Sequence, residues 1–231
     1  MLGPFDYTIW LVGFLAEICV VVCSIRQKQF LHYFSLNLFV LALAADEVLR
    51  FVVLKIYGFA SLEFRYEYYF TDALLTVAVF LTIMGLYLHV FEDLELARYI
   101  RGLAVVILGA TSVVSFLVVV RDRSWLSTRF FVELSQNLYF TGVILTYILW
   151  LVMFKRGEAR TRIVLIVSAF GVFFSAHAVT YALRGMFPSL AIWRVIPPLL
   201  GMWLPLSLAY TFIRIPEEAR MGVRTNEKVR A

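Results

Sequence analysis

Cysteine occurs only twice in these 231 residues, histidine three times and proline six times, and charged residues make up 16% of the chain. Cys19 and Cys23 are too few to build a disulfide scaffold. They lie four apart in one apolar segment, where side chains stack along a helix, and are expected to be small packing residues. Scarce charge excludes an ordinary soluble domain, which carries about 25%. With 12 Gly and 6 Pro, collagen-like and low-complexity architectures are excluded as well. The sequence holds no GxSxG, HExxH, GxxxxGK[ST] or GxGxxG pattern, so the familiar nucleophile, zinc, P-loop and dinucleotide chemistries have no anchor. No lysine lies in the final apolar run, which excludes a retinal-based light-driven pump.

What the chain has in abundance is hydrocarbon: 62% of its residues are hydrophobic and its mean hydropathy is +0.85. Seven runs are long enough to cross a ~30 Å hydrocarbon layer, which takes about 17–25 residues at 1.5 Å rise. They are Tyr7–Ser24, Tyr33–Ile56, Tyr69–Phe91, Leu103–Val120, Phe130–Phe154, Ile163–Leu183 and Val195–Ile213. A membrane barrel would show ~10-residue segments of alternating polarity, and these runs are apolar on every face. The expected fold class is therefore all-α, a polytopic membrane bundle with seven transmembrane helices. Residues 1–214 form that domain and 215–231 a short basic tail. The first run has no positive residues before it and no small-residue cleavage pattern after it, so it is expected to stay in the mature protein.

The chain carries a formal net charge of +5. Its Lys and Arg are scattered between apolar runs and gathered in the tail, which suits anionic lipid headgroups rather than nucleic acid. The side holding the first, third and fifth loops and the tail carries 13 of them, the opposite side 7. The positive-inside rule then puts the N-terminus outside and the C-terminus in the cytoplasm. Tyr57, Phe59, Phe64, Tyr66, Tyr68, Tyr69 and Phe70 in the second loop, with Trp125 and Trp193, read as an interfacial aromatic belt.

Ionisable residues inside spans are costly and point to function. Asp46, Glu47 and Arg50 form the clearest group, because spacings of three and four let the arginine reach either acid. One base beside two acids leaves a surplus negative charge that requires a proton or another partner. In the orientation above, Glu17 and Asp46 lie about 15 Å below the outer boundary, and Arg50, Asn137 and His177 roughly 8–12 Å below it. Glu133 and Asp72 lie nearer the outer surface, while the inner half is nearly pure hydrocarbon. Glu17, Asp46, Glu47, Arg50, Glu133, Asn137 and His177 are thus candidates to line a polar pocket in the outer half that binds a ligand or protons. Separate interhelical tie-points account for the same residues equally well. His177 lies too far from His89 to share a haem with it; His32 and His89 share one face near Glu92 and Asp93, yet two widely spaced histidines are a poor metal motif. No metal, cofactor or catalytic residue is expected. Pro205 falls in the middle of the last run, where a missing backbone donor kinks a helix.

The run FRYEYYFTDALLTVAVFLTIMGLYLHVFEDLELARYIRGL, residues 64–103, resembles small uncharacterised seven-helix bacterial integral membrane proteins. These pair a tyrosine-rich outer loop with a span that ends in an acidic, then arginine-bearing turn. The resemblance implies the fold and a bacterial inner-membrane location, and carries no catalytic residue across. The chain also resembles the seven-helix input modules that precede kinase or cyclase domains, although no output domain is expected to follow.

Two functional classes stay open. One is a non-enzymatic sensor-like module or membrane-complex subunit that meets a protein partner through its cytoplasmic loops or tail. The other is a small proton- or cation-coupled transporter using the intramembrane carboxylates, although the inverted repeats usual in transporters are not visible. An intramembrane enzyme comes third, for want of a recognisable nucleophile–base pair. The lipid bilayer is the one certain partner class in all of these readings; the identity of any small ligand is not written in the sequence.

Overall fold

The structure is a computed structural model and describes residues 4–91, 97–121, 126–157, 160–187, 192 and 196–220. Among these residues the chain forms seven α-helices: α1 (Pro4–Arg26), α2 (Phe34–Tyr57), α3 (Leu62–Val90), α4 (Ala97–Arg121), α5 (Leu126–Arg156), α6 (Thr161–Met186) and α7 (Ile196–Arg214). Six of them, all but α2, are long and apolar enough to cross a membrane. Helix α2 has the length, at 24 residues, but carries Asp46, Glu47, Arg50 and Lys55.

Helix is the form these sequences take because a backbone without water must satisfy its own polar groups, and a helix does so within one segment. The scattered hydroxyls follow the same logic. Thr76, Thr82, Thr111, Ser115, Thr146 and Thr211 each donate to the carbonyl four residues earlier, at 2.6–2.9 Å.

The helices overrun the spans expected from hydropathy. Helix α3 starts at Leu62, about two turns before Tyr69, because Ser61 caps it: the Ser61 hydroxyl accepts the Phe64 N–H at 3.0 Å. The preceding turn is fixed by Gly58, whose φ of +80° is open to glycine at little cost and whose N–H closes α2 on the Leu54 carbonyl. This early start draws Glu67 and Tyr68 out of the expected loop and onto a helix face.

Six helices close a ring in the order α1, α2, α3, α5, α6, α7, with α7 packed back along α1. Helix α4 lies outside it, against α5 and more lightly α3. Ile100, Ala104, Thr111, Ser115 and Val119 form its narrow buried stripe, while Val105, Val106, Val113, Phe116 and Leu117 are exposed. The ring is filled by Phe39, Val40, Phe80, Ile83, Leu138, Phe170, Phe174, Leu208 and Phe212. Gly142 is required at one close approach, since a Cβ there would overlap the Phe174 ring. Helix α7 runs unbroken through Pro205, which is buried.

Alternation of the helices gathers the loops at two ends. One, here the basic end, holds the α1–α2 turn, the start of α6 and the residues after α7; the other, the aromatic end, holds the α2–α3 turn. After α7 the chain turns back under the basic end: the Thr161 N–H donates to the Ala219 carbonyl at 3.0 Å, and Arg160 bridges Arg220 in antiparallel fashion. Residues 221–231 of the expected tail, Trp125 and Trp193 of the aromatic belt, and Glu92 and Asp93 lie outside the described residues.

Candidate functional site

Helices α1, α2 and α3 bring their ionisable residues to one place toward the aromatic end. On α2, one helical turn sets the Arg50 guanidinium on Asp46, with Nη2 to Oδ2 at 2.7 Å. The same guanidinium lies over the Tyr68 ring at 5.0 Å, and its Nη2 is 3.4 Å from the Thr71 hydroxyl. Its Nε sits 3.9 Å from Glu67 Oε2, a long ion pair with no hydrogen bond at Nε. Glu47 turns to α1 beside Gly13, where a Cβ would stand 3.6 Å from Glu47 Oε1, an ordinary contact. One turn further along α1, Glu17 is 2% exposed and within Coulombic range of both Glu47 and Asp46.

The cluster is therefore four carboxyl groups, Glu17, Asp46, Glu47 and Glu67, around a single guanidinium. It is poorly satisfied by the protein itself. Glu17 Oε2, Asp46 Oδ1, Glu47 Oε2 and both Glu67 oxygens are buried without a hydrogen-bond donor. Native structures rarely leave such atoms orphaned, and where they do a function or an absent ligand is the usual reason. Asp46 and Glu67 flank the same Arg50 guanidinium, at 2.7 and 3.9 Å.

The other candidates from the sequence occupy separate places. Glu133 stands 4.0 Å from Arg129 on the same face of α5, and both are partly exposed. Asn137 donates to the Ser115 hydroxyl at 3.0 Å, tying α4 to α5. His177 stacks on Tyr139 with ring centroids 4.9 Å apart, and its Nδ1 meets the Phe173 carbonyl at 3.0 Å. Of the seven candidates, Glu17, Asp46, Glu47 and Arg50 come together, and Glu133, Asn137 and His177 do not join them.

Sequence reasoning missed Glu67, having placed it in a loop; the Ser61 cap signal followed by an unbroken run would have found it. It also missed a second polar centre at the basic end. There Arg162, counted only as a loop charge, is 1% exposed and surrounded by acceptors. Its Nε donates to the Ile215 carbonyl at 3.0 Å, its Nη2 to Gln27 Oε1 at 3.0 Å, and its Nη1 to Gln29 Oε1, with Glu217 Oε2 at 3.1 Å. The Tyr33 hydroxyl donates to Glu217 at 2.9 Å. The residues after α7 thereby strap α1, α2 and α6 to one buried cation, beside an open pocket of ≈ 380 Å³ lined by Gln27, Arg162, Arg214 and Glu217.

His32 and His89 also meet at this end, with ring centroids 4.4 Å apart. Among the described residues, no group of three or more His, Cys, Asp or Glu is arranged to hold a metal ion. Cys19 and Cys23 are both free thiols, with Sγ atoms 3.9 Å apart. No family model, curated protein or solved structure matches the chain significantly, so the geometry alone carries the functional reading.

Proposed function

We propose that the chain is a seven-span protein of a bacterial inner (plasma) membrane, with its N-terminus outside and its basic end in the cytoplasm. In this reading it works as a non-enzymatic, sensor-like module whose α1–α2–α3 carboxyl cluster takes up and releases protons. Protein partners are met through the cytoplasmic loops or tail. The observation that carries the reading is the set of buried, donorless carboxyl oxygens on Glu17, Asp46, Glu47 and Glu67 beside one arginine. Four carboxylates with a single counter-charge are untenable in a medium of low dielectric, and protons bound to the cluster lower that charge and supply donors to the orphaned oxygens.

A sensor is favoured over a conduit by what lies beyond the cluster. Val20, Phe39, Val40, Phe80 and Ile83 fill the bundle between it and the basic end, all essentially inaccessible. A proton arriving at the cluster thus meets packed hydrocarbon, and its effect passes on through helix positions. Trp10 offers the readout, since it stacks on Phe51 at 5.3 Å across the α1–α2 seam. In a variant whose other tryptophans are replaced by phenylalanine, Trp10 fluorescence is expected to change on acidification, and Asp46→Asn/Glu67→Gln to abolish the change. Fluorescence that does not respond to pH in the unsubstituted cluster would refute the reading.

The transporter reading draws support from Pro205, which removes a backbone bond inside the helix that packs along α1. Proton flux into vesicles that disappears in Glu17→Gln would favour it; a fluorescence response without flux favours the sensor.

A further inference from the structure

Within the α1–α2–α3 cluster, a donor and an acid face each other across a gap that neither closes. Arg50 commits Nη2 to Asp46 on its own helix, at 2.7 Å. Its Nε is buried and has no hydrogen-bond partner among the described residues, and the same holds for both carboxyl oxygens of Glu67 on α3. Nε and Glu67 Oε2 stand 3.9 Å apart, about 1 Å beyond a charge-assisted hydrogen bond. Two neighbours of Glu67 hold the guanidinium at this place. It lies over the Tyr68 ring at 5.0 Å, and Thr71, whose hydroxyl donates to the Glu67 carbonyl at 2.9 Å, sets that oxygen 3.4 Å from Nη2. Glu67, Tyr68 and Thr71 belong to one turn of α3, which therefore wraps the end of a side chain from α2. The other charged or titratable groups around the pair are Asp46 and Glu47 on α2, Glu17 on α1, Asp72 on α3 and, beyond Tyr68, Arg184 on α6.

We propose that Arg50 converts the protonation of Glu67 into a link between helices. With Glu67 protonated, the guanidinium rests on Asp46 across the open gap. When Glu67 releases its proton to water, the Arg50 Nε–H closes on the carboxylate and ties α3 to α2. This deepens the proton-linked reading above and rests on it for its role, though not for its test. A neutral carboxyl draws a guanidinium weakly, whereas a carboxylate accepts a short bond from it, about 2.7–2.9 Å. The arginine keeps its own charge throughout. Nη2 need not leave Asp46, because the several donors of one planar guanidinium can serve two acids at once. Closure gives a partner to the orphaned Nε and to one orphaned Glu67 oxygen, and it brings that turn of α3 and α2 closer by about 1 Å.

Nitrogen–proton correlation spectra of the purified, isotopically labelled protein report on arginine Nε–H groups directly, and the proton resonance moves downfield when a carboxylate takes the bond. The Arg50 signal is identified by its loss in Arg50→Lys. It is expected to move downfield from acidic to alkaline buffer and to hold its acidic position at every pH in Glu67→Gln. In Glu67→Asp, which keeps the charge but draws it back by one methylene, the movement should be smaller than in the parent. A signal that ignores pH in the parent, or that moves as far in Glu67→Gln, would overturn the proposal; a Trp10 fluorescence response in the same protein would show that the cluster reading survives that result. A signal that moves with Glu67 while Trp10 stays silent would instead defeat the sensor reading and leave the Arg50 link standing.

Discussion

At the scale of single residues, two arginines govern the polar chemistry, and their burial predicts different penalties. Arg162 is almost wholly enclosed and holds the Glu217 carboxylate and two glutamines. Removing one partner of such a buried pair costs about 3–5 kcal/mol, because the other is left without its counter-charge. Arg162→Leu is therefore expected to lower the melting temperature in detergent more than Glu217→Gln. The amide still accepts from Tyr33 and leaves the Ile215 carbonyl on the guanidinium. Melting of Arg162→Leu at the parent's temperature would show that the strap is not held by this charge. For Arg50 the comparison is with its acids: Arg50→Leu alone should melt below the variant in which Glu17, Asp46, Glu47, Glu67 and Arg50 are all made apolar. Apolar replacement of a whole buried ionic group is often nearly neutral, whereas removing its only cation strands four carboxyls. Thermal unfolding followed by circular dichroism decides it, and an unchanged melt for Arg50→Leu would contradict a buried pair.

At the scale of helices, close packing shows at the glycines. A Cβ on Gly142 would overlap the Phe174 ring at the α5–α6 seam, whereas one on Gly109 of the peripheral α4 meets nothing within 4 Å. Overpacking a seam costs about 1–3 kcal/mol. Alanine in an open helix position gains up to about 1 kcal/mol over glycine. Gly142→Ala should destabilise the bundle and Gly109→Ala should not, as measured by the same thermal unfolding; a destabilising Gly109→Ala would mean that α4 has a partner on that face. The helices themselves were legible in the sequence because runs of hydrocarbon this long have no other way to satisfy their backbones. Their ends were less so. Hydropathy marks where the apolar run stops, while capping marks where the helix stops, and at Ser61 the two differ by about two turns. By hydropathy alone Glu67 falls in a loop, whereas the spacing of four on α2 is enough to set Arg50 on Asp46. Local spacing reveals a pair on one helix, but a third member from another helix depends on packing order. Arg162 was hidden for the same reason: nothing near it in sequence shows that residues 215–217 will fold back upon it.

At the scale of the whole molecule, the charge asymmetry makes a prediction about orientation. With Cys19 and Cys23 replaced by alanine, a cysteine at exposed Phe59 should react with a membrane-impermeant thiol reagent added to intact cells. A cysteine at Lys155 should react only after the cells are opened. Labelling of the Lys155 site in intact cells would invert the assignment. The expectation rests on 13 basic residues at one end against 7 at the other.

The closure of the ring also carries a consequence for biosynthesis. Helix α7, which packs along α1, leaves the ribosome after the other six. Until then α1 waits in the bilayer with half of its final surroundings missing, and the residues that will strap Arg162 have not been made. Assembly of this bundle is thus expected to stay open until the segment through Glu217 has left the ribosome. Nascent chains arrested within α6 should remain accessible to membrane quality-control proteases, while chains released after translation should resist them.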